Sequence, residues 1–195
     1  MNISSIGPTL AQKGMQTMNR LPQSDDKARA EVGEQYLGSI AKSSENELEK
    51  TVAKMALQAA APVPRTGLMA ALGFGPKALH PRVRDEVFAS ALKHIASGVS
   101  GPAAAVLSMV GYSAMSMIPT ALNGDKAHVG KDFVAMVRDH SSDPAQKVDA
   151  ENALAIADKS ANHRSAFLTR TFLGEQFSRP QPPARPPSSG GGGCG

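Results

Sequence analysis

Cysteine and aromatic residues are scarce in this sequence. It has no tryptophan, an aromatic content of 4%, and a single cysteine, Cys194. One cysteine excludes an internal disulfide. A thiol next to a terminal glycine also has no surrounding scaffold to activate it, so we do not expect Cys194 to be a nucleophile.

Runs of β-branched and aromatic residues, which favour strands, are missing too. Alanine, leucine, methionine, lysine and glutamate, which are strong helix formers, are common instead. We therefore predict an all-α protein, an irregular bundle of five to seven helices over residues 24–174. Its ends, residues 1–23 and 175–195, are predicted to be disordered.

Acidic residues are absent from the first 24 positions, which carry Lys13 and Arg20. Residues 1–23 lack the charged-then-apolar pattern of a Sec signal peptide, and Gly7, Pro8 and Gly14 interrupt any helical pattern. Two interpretations of this leader stay open: a mitochondrial-type presequence, or an unfolded secretion signal.

The beginning of the chain reads MNISSIGPTL, followed by a polar leader and then an alanine-rich helical body. Over about 25 residues this pattern resembles the amino terminus of bacterial type III secreted proteins. The resemblance implies secretion without a Sec signal, delivery into a host cell, and a secretion chaperone that binds the amino-terminal region.

Helix start and stop signals divide the body of the chain. Ser44 and Glu47 form a capping-box pattern, and the apolar residues that follow recur at helical spacing until Pro62. A connection containing one short helix, 68–72, is predicted after that. The longer helices are predicted to begin near Ser24, Ser44, Pro81, Pro102, Asp125 and Pro144.

A stretch without any charged residue or histidine runs from Ala96 to Gly124. A helix that is apolar on nearly every side lies either at the centre of a bundle or in a membrane. The segment between Pro102 and Pro119 would span about 24 Å, which is less than the hydrocarbon layer of a bilayer. We therefore predict a buried central helix, and insertion of residues 96–124 into a membrane is the alternative.

Residue patterns of known catalytic, metal or nucleotide sites are lacking. The five histidines do not have metal-ligand spacing, and the paired acidic residues stand near predicted helix starts, where capping explains them. The net charge of +4 comes from basic residues scattered among acids, so we do not expect nucleic-acid binding. No cofactor or metal is predicted, although a site assembled from dispersed residues stays open.

The tail contains one recognition motif. Pro180, Pro183 and Arg185 fit the PxxPxR pattern of ligands for SH3-type domains. Such a segment is already extended, so it loses little entropy on binding, and the arginine pairs with an acidic rim. A low-complexity linker that matches by chance is the alternative.

These observations favour a protein that acts by binding a host protein rather than by catalysis. The acid-free leader, the helical body and the lack of catalytic motifs lead to a secreted, effector-like function as the first hypothesis. A membrane-inserting or translocator-like protein that uses residues 96–124 is the second.

Overall fold

The computed structural model describes residues 6–159, which contain eight α-helices and one turn of 3-10 helix at Thr120–Leu122. The all-α prediction is confirmed, and no strand occurs within this range. The helices are α1 (Ile6–Arg20), α2 (Asp26–Ser43), α3 (Glu47–Ala59), α4 (Leu68–Ala71), α5 (Pro81–Ala96), α6 (Ala103–Met117), α7 (Asn123–His140) and α8 (Pro144–Lys159).

Helix α1 corrects one of our predictions. Residues 6–20 were expected to belong to a disordered leader, yet they form a helix of 15 residues that packs against α2 and α5. Ala11 and Met18 are buried in the main hydrophobic core. This helix is also the reason why the bundle has eight α-helices rather than five to seven.

The glycines that seemed to break α1 are what allow it to pack. A methyl group at Gly7 would overlap the Glu49 carboxylate, and one at Gly14 would lie 2.9 Å from Cγ of Tyr36. The helix can approach its neighbours closely only because these two positions lack a side chain.

The helices form two groups, which are joined by α3 and by direct packing of α5 on α6. Helices α1, α2 and α5 pack against one another, and α6, α7 and α8 form a consecutive layer in which α8 rests on α7. Helix α3 contacts α2 and α5 on one side and α6 and α7 on the other. The large side chains at the core include Phe88 of α5, Met55 of α3 and Phe133 of α7.

We predicted that α6 is buried at the centre of the bundle, but one of its faces is exposed. It packs mainly on α7 and α5, where Gly111 lets the Phe133 ring come close. Its opposite face carries Met109, Tyr112 and Met117, which are 41%, 37% and 42% exposed. Two other helices each pack against four neighbours: α5 against α1, α2, α3 and α6, and α3 against α2, α5, α6 and α7.

Candidate interaction surface

The segment between α3 and α5 projects from the bundle. We call Val63–Lys77 the arm. Of its 15 residues only Val63 and Arg65 are partly buried, and all the others are exposed. The sequence pattern predicted a connection with a short helix here, and helix α4 confirms that part of the prediction.

The base of the arm is closed by backbone pairing. The amide of Val63 donates to the carbonyl of Lys77 and the amide of Lys77 donates to the carbonyl of Val63, both at 2.9 Å. This isolated antiparallel bridge brings the two ends of the arm together. The arm is therefore a closed loop with a defined stem.

The buried carboxylate of Asp125 fastens the stem to the bundle. Its Oδ2 accepts a hydrogen bond from the His80 amide at 3.1 Å, and its Oδ1 lies 3.4 Å from Nζ of Lys77. We predicted Asp125 as the cap of α7, but that helix already begins at Asn123. The Asp125 side chain instead holds the segment 77–80, which connects the arm to α5.

The tip of the arm is apolar. Residues 67–76 have no charged or polar side chain. Leu68, Leu72 and Phe74 are 73%, 61% and 52% exposed, and Met69 is also exposed. Exposed apolar side chains are common singly, but a contiguous group of this kind marks a site of interaction.

Part of the backbone at the tip forms internal hydrogen bonds. The amide of Leu72 donates to the carbonyl of Leu68 at 2.9 Å, and the amides of Gly73 and Phe74 donate to other carbonyls of the same turn. Gly67 and Gly73, which flank α4, have φ values of +64° and +77°, which side chains other than glycine rarely tolerate. The tip is thus a formed turn in which the four consecutive amides of residues 71–74 have backbone acceptors.

Arg65 marks the boundary between the stem and the tip. Its guanidinium lies 5.7 Å from the centre of the Phe74 ring, within the range of a cation–π contact. Among residues 6–159 it pairs with no carboxylate, and its buried Nε atom has no hydrogen-bond partner. A positive charge therefore sits directly beneath the apolar tip.

Basic residues predominate in the sequence around the arm. Between Glu49 and Asp85 the sequence has six basic residues and no acidic residue. Lys77 at the stem stays 62% exposed at its side chain, although Asp125 offsets part of its charge. Arg84 is likewise paired, with Glu34, so Arg65 is the cation at the tip that has no carboxylate partner among residues 6–159.

A cleft of about 340 Å³ lies beside the stem. One wall carries the Glu34 carboxylate and the Arg84 guanidinium, which form an ion pair with each other. The remaining lining is mostly apolar and consists of Leu57, Ala60, Ala61, Pro62, Ala78, Leu79 and Phe88. Because its charged groups neutralise each other, the cleft presents a mainly apolar surface.

The buried ion pair of Arg29 and Asp85 holds helices together. Arg29 Nε donates to the Asp85 carboxylate at 2.9 Å, and its Nη1 donates to the carbonyl of Met18, also at 2.9 Å. Burial raises the pKa of the Asp85 carboxyl, and the guanidinium partly opposes that rise. The pair thus connects α1, α2 and α5 rather than lining a cleft.

The histidines play local roles in the described part of the chain. His80 accepts a hydrogen bond from the Arg82 amide through Nδ1 and caps α5. His128 lies 3.5 Å from the Asp132 carboxylate, one helical turn away. Residues 6–159 contain no group of three or more side chains placed to hold a metal ion.

The predicted recognition motif lies outside the described residues. Pro180, Pro183 and Arg185, together with Cys194, follow residue 159, so SH3-type binding stays a prediction from the sequence. Sequence reasoning predicted the connection but not the exposure of its apolar side chains, because the uncharged run from Leu68 to Phe74 does not show whether a neighbour covers it.

No protein family, curated protein or solved structure matches this chain. Within residues 6–159 no single helix has both the length and the apolar character needed to cross a membrane. One bent combination passes that test of length and composition, namely α6 with the segment Thr120–His140, and the angle at the break is 113°.

Proposed function

We propose that this protein acts by binding a partner rather than by catalysis, and that the arm is its binding element. The observation that carries this proposal is the exposed apolar tip, residues 67–76, held on a stem that is anchored by Asp125. A free loop with no role in binding would gain nothing from exposing these side chains to water.

The surroundings of the tip support the same proposal. A side chain added at Gly67, Gly73 or Gly75 would meet nothing within 4 Å, so the tip does not lean on the bundle. The stem, in contrast, is fixed by two backbone hydrogen bonds and a buried carboxylate. A rigid base with an accessible apolar end presents its contact residues at a low entropic cost on binding.

Affinity capture from a host-cell lysate tests the proposal. The arm variant carries Leu68→Ser, Leu72→Ser and Phe74→Ser, and the control variant carries Ile6→Ser, Met109→Ser and Val148→Ser, which are exposed apolar residues elsewhere. We expect partners of the unaltered chain to be lost from the arm variant and kept by the control variant. Equal capture by both variants would contradict the proposal.

The resemblance to type III secreted proteins adds a hypothesis about delivery. We propose that the protein is secreted without a Sec signal and meets its partner in a host cell, with the acid-free start of the chain as the signal. A reporter fused to residues 1–25 should be exported by a type III-competent strain. Equal export by a secretion-deficient strain would refute the hypothesis.

The tail motif forms a separate part of the proposal. The Arg185→Ala variant removes the cation that would pair with the acidic rim of an SH3-type domain. Capture with this variant should lose any SH3-containing proteins and retain those that depend on the arm. Recovery of the same SH3-containing proteins by this variant would exclude the motif as their ligand.

A further inference from the structure

We infer that the partner of the arm is an anionic lipid surface, into which the tip inserts while the basic stem stays among the headgroups. This inference rests on the proposed function, because it names the occupant of the same binding element. Three features of the arm favour lipid over a protein groove.

The first feature is the distribution of apolar side chains around the tip. Leu68 and Leu72 lie one helical turn apart, and Met69 and Phe74 lie at other positions around the turn, yet all four are exposed. Ala70 and Ala71 between them are exposed as well. A groove on a protein covers one face of a helix, whereas the apolar layer of a membrane surrounds an inserted tip.

The second feature is the internal hydrogen bonding of four consecutive backbone amides at the tip, those of residues 71–74. Polar backbone groups that enter an apolar layer must be paired, because no water is there to satisfy them. The amide of Ala71 donates to the carbonyl of Gly67 at 3.1 Å, and the next three amides also donate within the turn. Pro76 has no amide hydrogen to satisfy.

The third feature is the position of positively charged side chains relative to the apolar tip. Arg65 lies at the lower edge of the apolar tip and pairs with no carboxylate among residues 6–159, and Lys77, 62% exposed and partly offset by Asp125, lies at the stem. Cations at this level would meet the phosphate groups of anionic lipids when the tip is inserted. Phe74, next to Arg65, would lie where aromatic rings are enriched in membrane interfaces.

Vesicle flotation tests the inference directly. The full chain is mixed with vesicles of phosphatidylcholine alone, or of phosphatidylcholine with phosphatidylglycerol. We expect it to float with the second kind and to stay at the bottom with the first. Binding to neither kind, or equal binding to both, would overturn the inference.

Variants show whether the arm carries the binding. The arm variant should bind the anionic vesicles about a hundredfold more weakly, since it removes three large apolar contacts, and the control variant should bind normally. Arg65→Gln should weaken binding about fivefold, whereas Lys27→Gln on the exposed side of α2 should not. Circular dichroism checks that each variant is folded.

A fluorescence experiment locates the inserted segment. Because the chain has no tryptophan, Phe74→Trp and Met109→Trp each introduce a single probe. We expect anionic vesicles to shift the emission of the Phe74→Trp variant to the blue and to leave that of the Met109→Trp variant unchanged. A shift confined to the Met109→Trp variant would show that the α6 segment inserts instead, and would overturn the inference.

The two proposals can fail separately. If the arm variant loses captured proteins while the unaltered chain ignores both kinds of vesicle, the partner is a protein; the proposed function then stands and the lipid inference is wrong. If the arm variant behaves like the unaltered chain in both experiments, the arm is not a binding element and both proposals are wrong.

Discussion

Two uncharged apolar stretches of this chain differ in how much of their surface is buried. Residues 103–117 form α6, which buries one face on α7 and α5, whereas residues 67–76 form the tip of the arm, which buries almost nothing. Both lack charged side chains, so composition does not separate them. The difference lies in the neighbouring elements. Phe133 of α7 packs against Gly111 of α6, whereas no atom lies close to the glycines of the tip.

The contrast teaches that absence of charge does not by itself indicate burial. An apolar segment is buried only where a neighbouring element offers a complementary surface. A segment of only ten residues with glycines at three positions lacks a continuous face that could pack on a helix. Such a segment stays exposed when no neighbouring element covers it.

The largest effect should come from a matched pair of phenylalanines. Phe133→Ala removes a fully buried ring between α6 and α7, so we expect the free energy of unfolding to fall by about 3–5 kcal/mol. Phe74→Ala removes an exposed ring of the arm and should cost less than about 1 kcal/mol. Urea denaturation measures both, and equal losses would mean that the arm is packed in solution.

A pair of glycines should give the next largest effect. A side chain at Gly111 would lie 2.7 Å from Cβ of Phe133, so Gly111→Val should lower the free energy of unfolding by about 1–3 kcal/mol. Gly75→Val in the arm meets nothing within 4 Å and should change it by less than about 0.5 kcal/mol. Thermal denaturation compares the two, and a destabilising Gly75→Val would contradict the open position of the tip.

The anchor of the arm should contribute less to global stability. Asp125→Ala leaves the His80 amide without its acceptor, so we expect a loss of about 1–2 kcal/mol. Hydrogen exchange of the Val63 and Lys77 amides should accelerate at the same time, because the stem loses its tie to α7. Unchanged exchange at these two amides would show that the bridge holds the stem without the carboxylate.

The smallest effect concerns the last ionisable side chain before the uncharged stretch. Burial lowers the pKa of His94, with a smaller contribution from Lys93. The unfolded chain therefore binds a proton more readily, and this contribution to stability is lost as the pH falls below the ordinary value of 6.5. His94→Gln should flatten that decline in urea titrations between neutral and mildly acidic pH, and an unaltered slope would assign the decline to other groups.

Local chemistry predicted several helix starts well. Pro81 stands at the start of α5, and Asp143 accepts a hydrogen bond from the Ala145 amide ahead of α8, as expected. At α3 the helix was predicted but its cap differs: Asn46 accepts from the Leu48 and Glu49 amides. These signals are visible in the sequence because they act between residues only a few positions apart.

Tertiary packing decided what the sequence could not predict. Gly7, Ala11, Gly14 and Met18 follow the four- and three-residue steps of one helix face, and all four are buried in α1. Two of the four are glycines, which read as helix breakers until the positions of Glu49 and Tyr36 are known. The arm was missed for the converse reason, since nothing in the pattern of 62–77 shows that no neighbour covers it.

The placement of α1 bears on how such a chain could be exported. Its carboxyl end supplies the Met18 carbonyl to Arg29, so withdrawing α1 would leave part of a buried guanidinium unsatisfied. Under the secretion route proposed above, an export apparatus that binds the first residues would compete with the docking of α1 on the bundle. Weakening the packing of α1 on α2 and α5 should prolong the period in which the newly made chain is unfolded enough to pass through an export channel.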